Sequence, residues 1–466
     1  KNEKSEKGEK NLSQALGWDE PMGGGEEGDT WHVANERMRQ SRLERFCEDL
    51  VTFTRYTRLE SKAELMNSKK MTSTAFDDTV CSIGFDRDDE FFATVGISKK
   101  IKVFEFEKVM EPIVDVHCPV VEMPSRSKLS AICWSSYIKF QLMSSDYEGM
   151  VSLWDVNRAK VVNEFEEHKR RVWSVDVSQV DPMAALSGSD DGTVKLWHLN
   201  QEESVTTINT RSSANVCCVQ FSPNDINLVT FGTADRKAYL YDLRNTAEPL
   251  GQMKGHTKTV SYSKFLDGNT IVTSSIDNTL KLWDIKGAVQ EFKPDMLAPG
   301  YGHHHLDTRN RHQGWEDGMG GDPMWVCDGS LRKACPMVQS HESVHVHDNA
   351  VPNNASPKMI APCKVFTGHK NKKNFVGLSI SDQGYIASGS EDNAVYVYHP
   401  CMPLKVARCG FEDEHMMGDG ASCADGFVQA VTWKRKVNTL LAANSRGVIK
   451  VIDLKAHSAA PSSLCC

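Results

Sequence analysis

The chain has 466 residues, 40 % hydrophobic and 25 % charged, with a mean hydropathy of −0.43, which is the balance of a globular protein with a real core. Its formal net charge of −8 excludes nucleic-acid or membrane binding driven by overall charge, so any basic surface must be local. No run of about 18 apolar residues is present, which removes a transmembrane helix.

Residues 1–32 run from Lys/Glu/Ser-rich to Gly-rich without apolar periodicity and read as a disordered leader. Residue 1 is Lys rather than Met, as expected of a piece of a longer protein. Over residues 33–53, Val33, Met38, Leu43, Phe46 and Leu50 recur at helical spacing among charges of both signs. That predicts one short helix, the end of a coiled coil if the heptads continue upstream. Tyr56–Leu65 reads as a lone strand ahead of any complete repeat.

From residue 79 the chain repeats itself. Each unit is a meander of alternating strands whose third strand ends on an anchor, in order Phe104, Trp154, Trp197, Tyr241, Trp283, Tyr398 and Ile452. Six residues before the anchor stand Asp191, Asp235, Asp277 and Asp392, with Glu148, Ser98 and Arg446 in the other units. Successive anchors are 42–54 residues apart, except for one interval of 115. A period of about 40–45 residues with a Trp-Asp or Tyr-Asp ending predicts an all-β fold, a seven-bladed WD40 β-propeller spanning residues 54–456. The recurring Asp should accept a hydrogen bond from the His of the preceding loop, at His168, His256 and His369. Tyr56–Leu65 is expected to add the outer strand of the seventh blade and latch the ring shut.

The long interval places an insertion at residues 287–362, rich in Gly, Pro, Asn and His, which reads as disordered. Its His303, His304, His305, His312, His341, His345 and His347, with Cys327 and Cys335, match no zinc spacing, so the expectation is a polar loop and no metal. The fourteen cysteines are scattered, several (Cys81, Cys133, Cys217) inside apolar runs, which points to reduced thiols in a reducing compartment. Residues 457–466 read as a flexible tail, its Cys465–Cys466 pair included. No phosphate loop, nucleophile elbow or other catalytic set is present, and no cofactor is implied.

The loops leading into the innermost strands carry a sharper signal. Lys169, Arg170 and Arg171 precede blade three's inner strand, Lys258 that of blade five, and Lys370, Lys372 and Lys373 that of blade six. Propeller geometry puts all of them on one face around the central channel, beside Tyr147, Trp173 and Phe375. Cations and aromatic rings around a funnel suit an extended peptide with acidic and apolar side chains. The loop 412–425 on the same face is acidic, with Glu412, Asp413, Glu414, Asp419 and Asp425.

The strings TFTRYTRL, FDRDDEFFATVG, PVVEMPSRSKLS, SSDYEGMVSLWDV, ANVCCVQFSP and NFVGLS resemble the C-terminal propeller of the plant constitutive-photomorphogenesis ubiquitin ligases. They also resemble that of their partner family, the suppressor-of-phytochrome-A proteins. The resemblance runs from about residue 44 to 455, outside the insertion. It implies a substrate receptor of an E3 ubiquitin ligase complex in light signalling, in the nucleus and cytoplasm. Such a receptor binds acidic Val-Pro peptides of transcription factors and photoreceptors, and meets its ligase or suppressor partner through an upstream coiled coil. The positions matching the family's pocket are Lys128, Tyr147, Arg171, Trp173, Lys258 and Phe375, with Arg236 and Lys373 as secondary contacts. Arg236 stands where the ligase has His, and Lys372 where it has Glu, which shifts the expected preference toward more acidic peptides. The string TADRKAYLYDLR resembles a box that docks on the cullin-4 adaptor, through Asp242 and Arg244. The alternative reading is therefore a scaffold that assembles with that adaptor without selecting substrates. The ligase's RING finger and the suppressor's kinase-like region lie upstream in those families and are absent from this sequence, so no ubiquitin-transfer chemistry is expected of it.

Overall fold

In the computed structural model, which describes residues 27–65, 79–111, 117–210, 212–290, 357–411 and 426–456, seven antiparallel meanders stand around one axis. Blades one to seven have their innermost strands at Val80–Phe85, Leu129–Trp134, Val172–Val177, Val216–Phe221, Val260–Asp267, Leu378–Ile380 and Val428–Trp433. All belong to one compact unit; a second, Lys293–Ser356, lies wholly outside the described residues.

Alternation explains how the blades pack. Blade three's inner strand buries Val172, Val175 and Val177, and these meet Met143, Val151, Leu153 and Phe165 of blade two together with Trp197 of their own sheet. The core is thus a series of sheet-on-sheet interfaces, each closed by the neighbour, which is why a single meander does not suffice. The ring closes as expected: Tyr56–Leu65 pairs antiparallel with Ile449–Ala456 as the outer strand of blade seven.

The turn between second and third strands is built alike in every blade. Its left-handed position falls on Lys99, Gly149, Gly192, Arg236, Asn278, Asn393 and Gly447, all with positive φ. Glycine and asparagine adopt that conformation readily; Lys99 (φ 58°) and Arg236 (φ 74°) adopt it against their Cβ.

Several boundaries differ from the sequence expectation. The N-terminal helix, α1, spans Glu27–Thr54 rather than 33–53, and Met38, Leu43, Phe46 and Leu50 on it are exposed. Both margins of the 287–362 insertion are regular structure. Lys286–Gln290 is a short helix, and Lys358–Ile360 adds a fifth strand to blade four, parallel to Gly251–Lys254, while Pro362–Phe366 is the outer strand of blade five. Ile360 is buried in blade four's apolar cluster, and a Cβ on Gly251 would stand 2.7 Å from it, so the fifth strand depends on that glycine. The expected disordered leader (residues 1–26), the body of the insertion (291–356), the acidic loop 412–425 and the tail 457–466 lie outside the described residues.

Candidate binding face at the channel mouth

Blades three and five share one polar tetrad, which holds the loop ahead of the inner strand against the turn that follows the second strand. In blade three His168 Nδ1 lies 2.8 Å from Asp191 and Nε2 lies 2.7 Å from Ser187, whose hydroxyl also accepts from Trp197 Nε1 at 2.7 Å. Blade five repeats this with His256, Asp277, Thr273 and Trp283. Burial alone would raise the carboxyls of Asp191 and Asp277, but the bonds from histidine and threonine outweigh it and hold both well below the usual range. Blade six departs from the expectation. His369 bonds the Tyr398 hydroxyl at 3.1 Å instead of Asp392, because Tyr396 takes that carboxylate at 2.7 Å. Burial outweighs the pull of Asp277 and Asp392 and pushes His369 down to about 4, so it stays neutral.

At the channel mouth the loops bring four of the expected residues into one cluster. Trp173 packs against Tyr147 at 5.9 Å and, across the channel, against Phe375 of blade six at 5.1 Å. The Arg171 guanidinium lies 4.3 Å over the Tyr147 ring and 4.7 Å over that of Trp173. Arg171 Nε is buried and has no hydrogen-bond partner among the described residues. Such a donor is costly unless a ligand or water completes it. The Trp173 indole is fixed by a 2.6 Å bond from Nε1 to Asp190, a residue the sequence reading passed over.

Lys128, Lys258, Arg236 and Lys373 stand apart from this cluster, exposed on the loops and turns at the same end of the inner strands. Their main chains are fixed: Lys128 O accepts from Tyr147 N at 3.0 Å, Lys258 O from Ser275 at 3.1 Å, and Lys373 N donates to Glu391 at 2.6 Å. The side chains of all four are exposed. Asp242 and Arg244 lie at the far end of their strand, away from the channel mouth. Arg244 donates to Asp242 from Nε at 3.0 Å and from a terminal nitrogen at 2.5 Å, and its side chain remains 64 % exposed.

The rings and the inner strands line a cavity of about 150 Å³ in the channel, bounded by all seven blades. Its lining includes the thiols of Cys81, Cys133, Cys217 and Cys218, all pushed up by burial, so they are inert protonated groups rather than nucleophiles. Asp176, which accepts from Phe221 N at 2.8 Å, is raised by burial to about 6. The cavity offers no activated nucleophile, and no group of histidine, cysteine and carboxylate side chains among the described residues could hold a metal ion.

Comparison with known proteins agrees with this architecture. The WD domain, G-beta repeat family matches residues 159–198, 202–242, 247–284 and 360–399. Protein SPA1-RELATED 3 of Arabidopsis thaliana is 41 % identical over 421 residues, covering 90 % of this chain and 41 % of the relative. E3 ubiquitin-protein ligase COP1 of Pisum sativum is 39 % identical over 416 residues, 89 % of this chain and 50 % of the ligase. WD repeat-containing protein RUP1 of Arabidopsis thaliana is 30 % identical over 388 residues, 81 % of each chain. The chain thus spans about two fifths to one half of the length of the SPA1-related protein and the ligase. With its seven blades and these identities, the chain belongs to the WD-repeat family of the COP1 and SPA1-related propellers.

Proposed function

We propose that this propeller is the substrate-receptor domain of an E3 ubiquitin ligase complex in light signalling, and that the channel mouth binds acidic peptides carrying a Val-Pro pair. The observation that carries the reading is the cluster of Tyr147, Trp173 and Phe375 with the Arg171 guanidinium stacked on two of its rings and a buried, unpartnered Nε. The rings make a narrow apolar slot that suits a branched side chain followed by a proline ring. Arg171, with Lys128, Lys258, Arg236 and Lys373 around it, meets the acidic flank. Exposed cations contribute chiefly to the rate and salt dependence of association, and the aromatic centre contributes the affinity.

The expected strength is low micromolar, about −8 kcal/mol. The natural cargo is the transcription factors and photoreceptors of the nucleus and cytoplasm, and the ligase or suppressor partner joins through a coiled coil upstream of α1. Titration of an acidic Val-Pro peptide by calorimetry tests the reading, with the same peptide bearing Ala-Ala as control. Saturable binding of the first alone supports it, and equal binding of both removes the slot. A docking role for the opposite face is compatible with this: Asp242 pre-aligns the exposed Arg244 for a cullin-4 adaptor.

A further inference from the structure

The blades differ in what fills the space between turn and anchor ring. In blades three and five an imidazole fills it, His168 at 6.2 Å from Trp197 and His256 at 6.0 Å from Trp283. In blade six His369 does so, 5.9 Å from Tyr398. Blade four has Ser212 at the histidine position, four residues before the inner strand, and fills the space from the other side. Its Tyr239 hydroxyl reaches Asp235 at 2.6 Å.

Blade two has neither filler. Ser125 stands at the histidine position and Ser152 where blade four has Tyr239. The rest of the frame is intact. Trp154 Nε1 donates to Ser144 at 2.8 Å, as Trp197 does to Ser187, and Glu148 occupies the position of Asp191. The turn-closing bonds that Asp191 makes in blade three fall here to Asp146, which accepts from the amides of Glu148 and Met150 at 3.0 and 2.8 Å. Glu148 is thereby released from structural duty, and its carboxylate has no partner among the described residues. The vacant ring position opens onto a cavity of about 490 Å³, larger than one imidazole, lined by, among others, Ser125, Arg126, Glu148, Ser152, Trp154 and Glu164. That volume is in the range of sites that take ligands.

We propose that this cavity binds the imidazole of a histidine presented by a partner chain, supplying in trans the ring that blades three, five and six supply in cis. Glu148 accepts the ring N–H as Asp191 and Asp277 do, and the indole of Trp154 forms the wall. Arg126, 3.8 Å from Glu164, offsets that second carboxylate, and Lys99 also lines the cavity. With Asp146 also in the lining, three carboxylates face these two cations, so the cavity takes an N–H donor ring whether it is neutral or protonated. The cavity adjoins the channel mouth through the Tyr147–Glu148 turn, but the inference does not rest on the peptide reading.

The test titrates imidazole and N-acetyl-histidine amide into the full chain, followed by saturation-transfer NMR and by the thermal unfolding midpoint. The wild type should bind both saturably with a rise in midpoint. Ser125→His should occupy the ring position in cis, raise the midpoint without ligand and abolish binding, and Ser152→Tyr should block it as Tyr239 does in blade four. Glu148→Gln should weaken binding by about tenfold, the loss of one charge-assisted hydrogen bond. Absence of saturable binding to the wild type overturns the proposal. So does equal binding by the wild type and whichever filling variant folds.

Discussion

Replacing Trp173 with alanine is the sharpest perturbation of the channel mouth. The indole touches Phe375 at 5.1 Å and Tyr147 at 5.9 Å, and Arg171 lies 4.7 Å over it. Each ring pair contributes about 0.5–1.5 kcal/mol and the stacked cation about 0.5–1 kcal/mol. Loss of the side chain should therefore cost the fold about 2–3 kcal/mol, leaving Asp190 to water. It should cost peptide binding at least as much. A central, half-buried aromatic is where a peptide's apolar side chains pack, and truncations of such residues lose about 2 kcal/mol or more, roughly thirtyfold in Kd. Fluorescence anisotropy of a labelled acidic Val-Pro peptide at fixed salt reads the loss, with a urea titration confirming that the variant is folded. Trp173→Phe should retain most ring contacts while losing the 2.6 Å bond to Asp190, and fall between the two. A folded Trp173→Ala variant that binds with wild-type affinity would refute the reasoning.

Lys258→Glu should weaken the same peptide by about fivefold and flatten the dependence of Kd on salt, because an exposed rim cation acts through screened attraction; an unchanged salt slope contradicts this. Arg236→Asn should relieve the left-handed φ of 74° and stabilise the protein by about 1 kcal/mol while loosening binding of acidic peptides, read by urea midpoints and anisotropy. Asp176 has its carboxyl raised by burial from an ordinary 3.8 to about 6, so the fold holds its proton more tightly than the unfolded chain does. Its charge therefore opposes folding, with a cost that grows from pH 4 to 6 and reaches about 3 kcal/mol above that. Asp176→Asn should be more stable than wild type at pH 7, with the difference vanishing near pH 4; a difference independent of pH would place the carboxyl in water.

The repeat was legible because it is periodic. Asp191 and Trp197 mark blade three in the chain as they do in space, and the latch by Tyr56–Leu65 follows from a strand with no blade of its own. What was not legible depends on distances that the period does not encode. Trp173 and Phe375 belong to blades three and six, and only the narrowness of the channel mouth brings their rings to 5.1 Å. The loop cations were readable as a set, but whether each stacks or points outward is a rotamer question, and among the described residues only Arg171 stacks on the central rings. Lys128 entered through resemblance alone. Asp190 escaped notice because it precedes the repeating Asp191, although two adjacent acids where one suffices was a visible clue. The fifth strand of blade four is three residues long at the edge of a polar insertion, too short for any alternation to show. His369 was expected to follow the other histidines. Tyr396, two residues before the anchor as Tyr239 is, already signalled another partner for the carboxylate.

The central claim, that the aromatic mouth of the channel is where an acidic Val-Pro peptide seats, is tested most directly by photocrosslinking. A peptide with a benzophenone beside the Val-Pro pair is irradiated on the full chain, and the adducts are mapped by mass spectrometry. The account predicts adducts on the segments carrying Tyr147, Trp173 and Phe375, suppressed by excess unlabelled peptide. Competed adducts elsewhere, for instance on the face that carries Asp242 and Arg244, would contradict it.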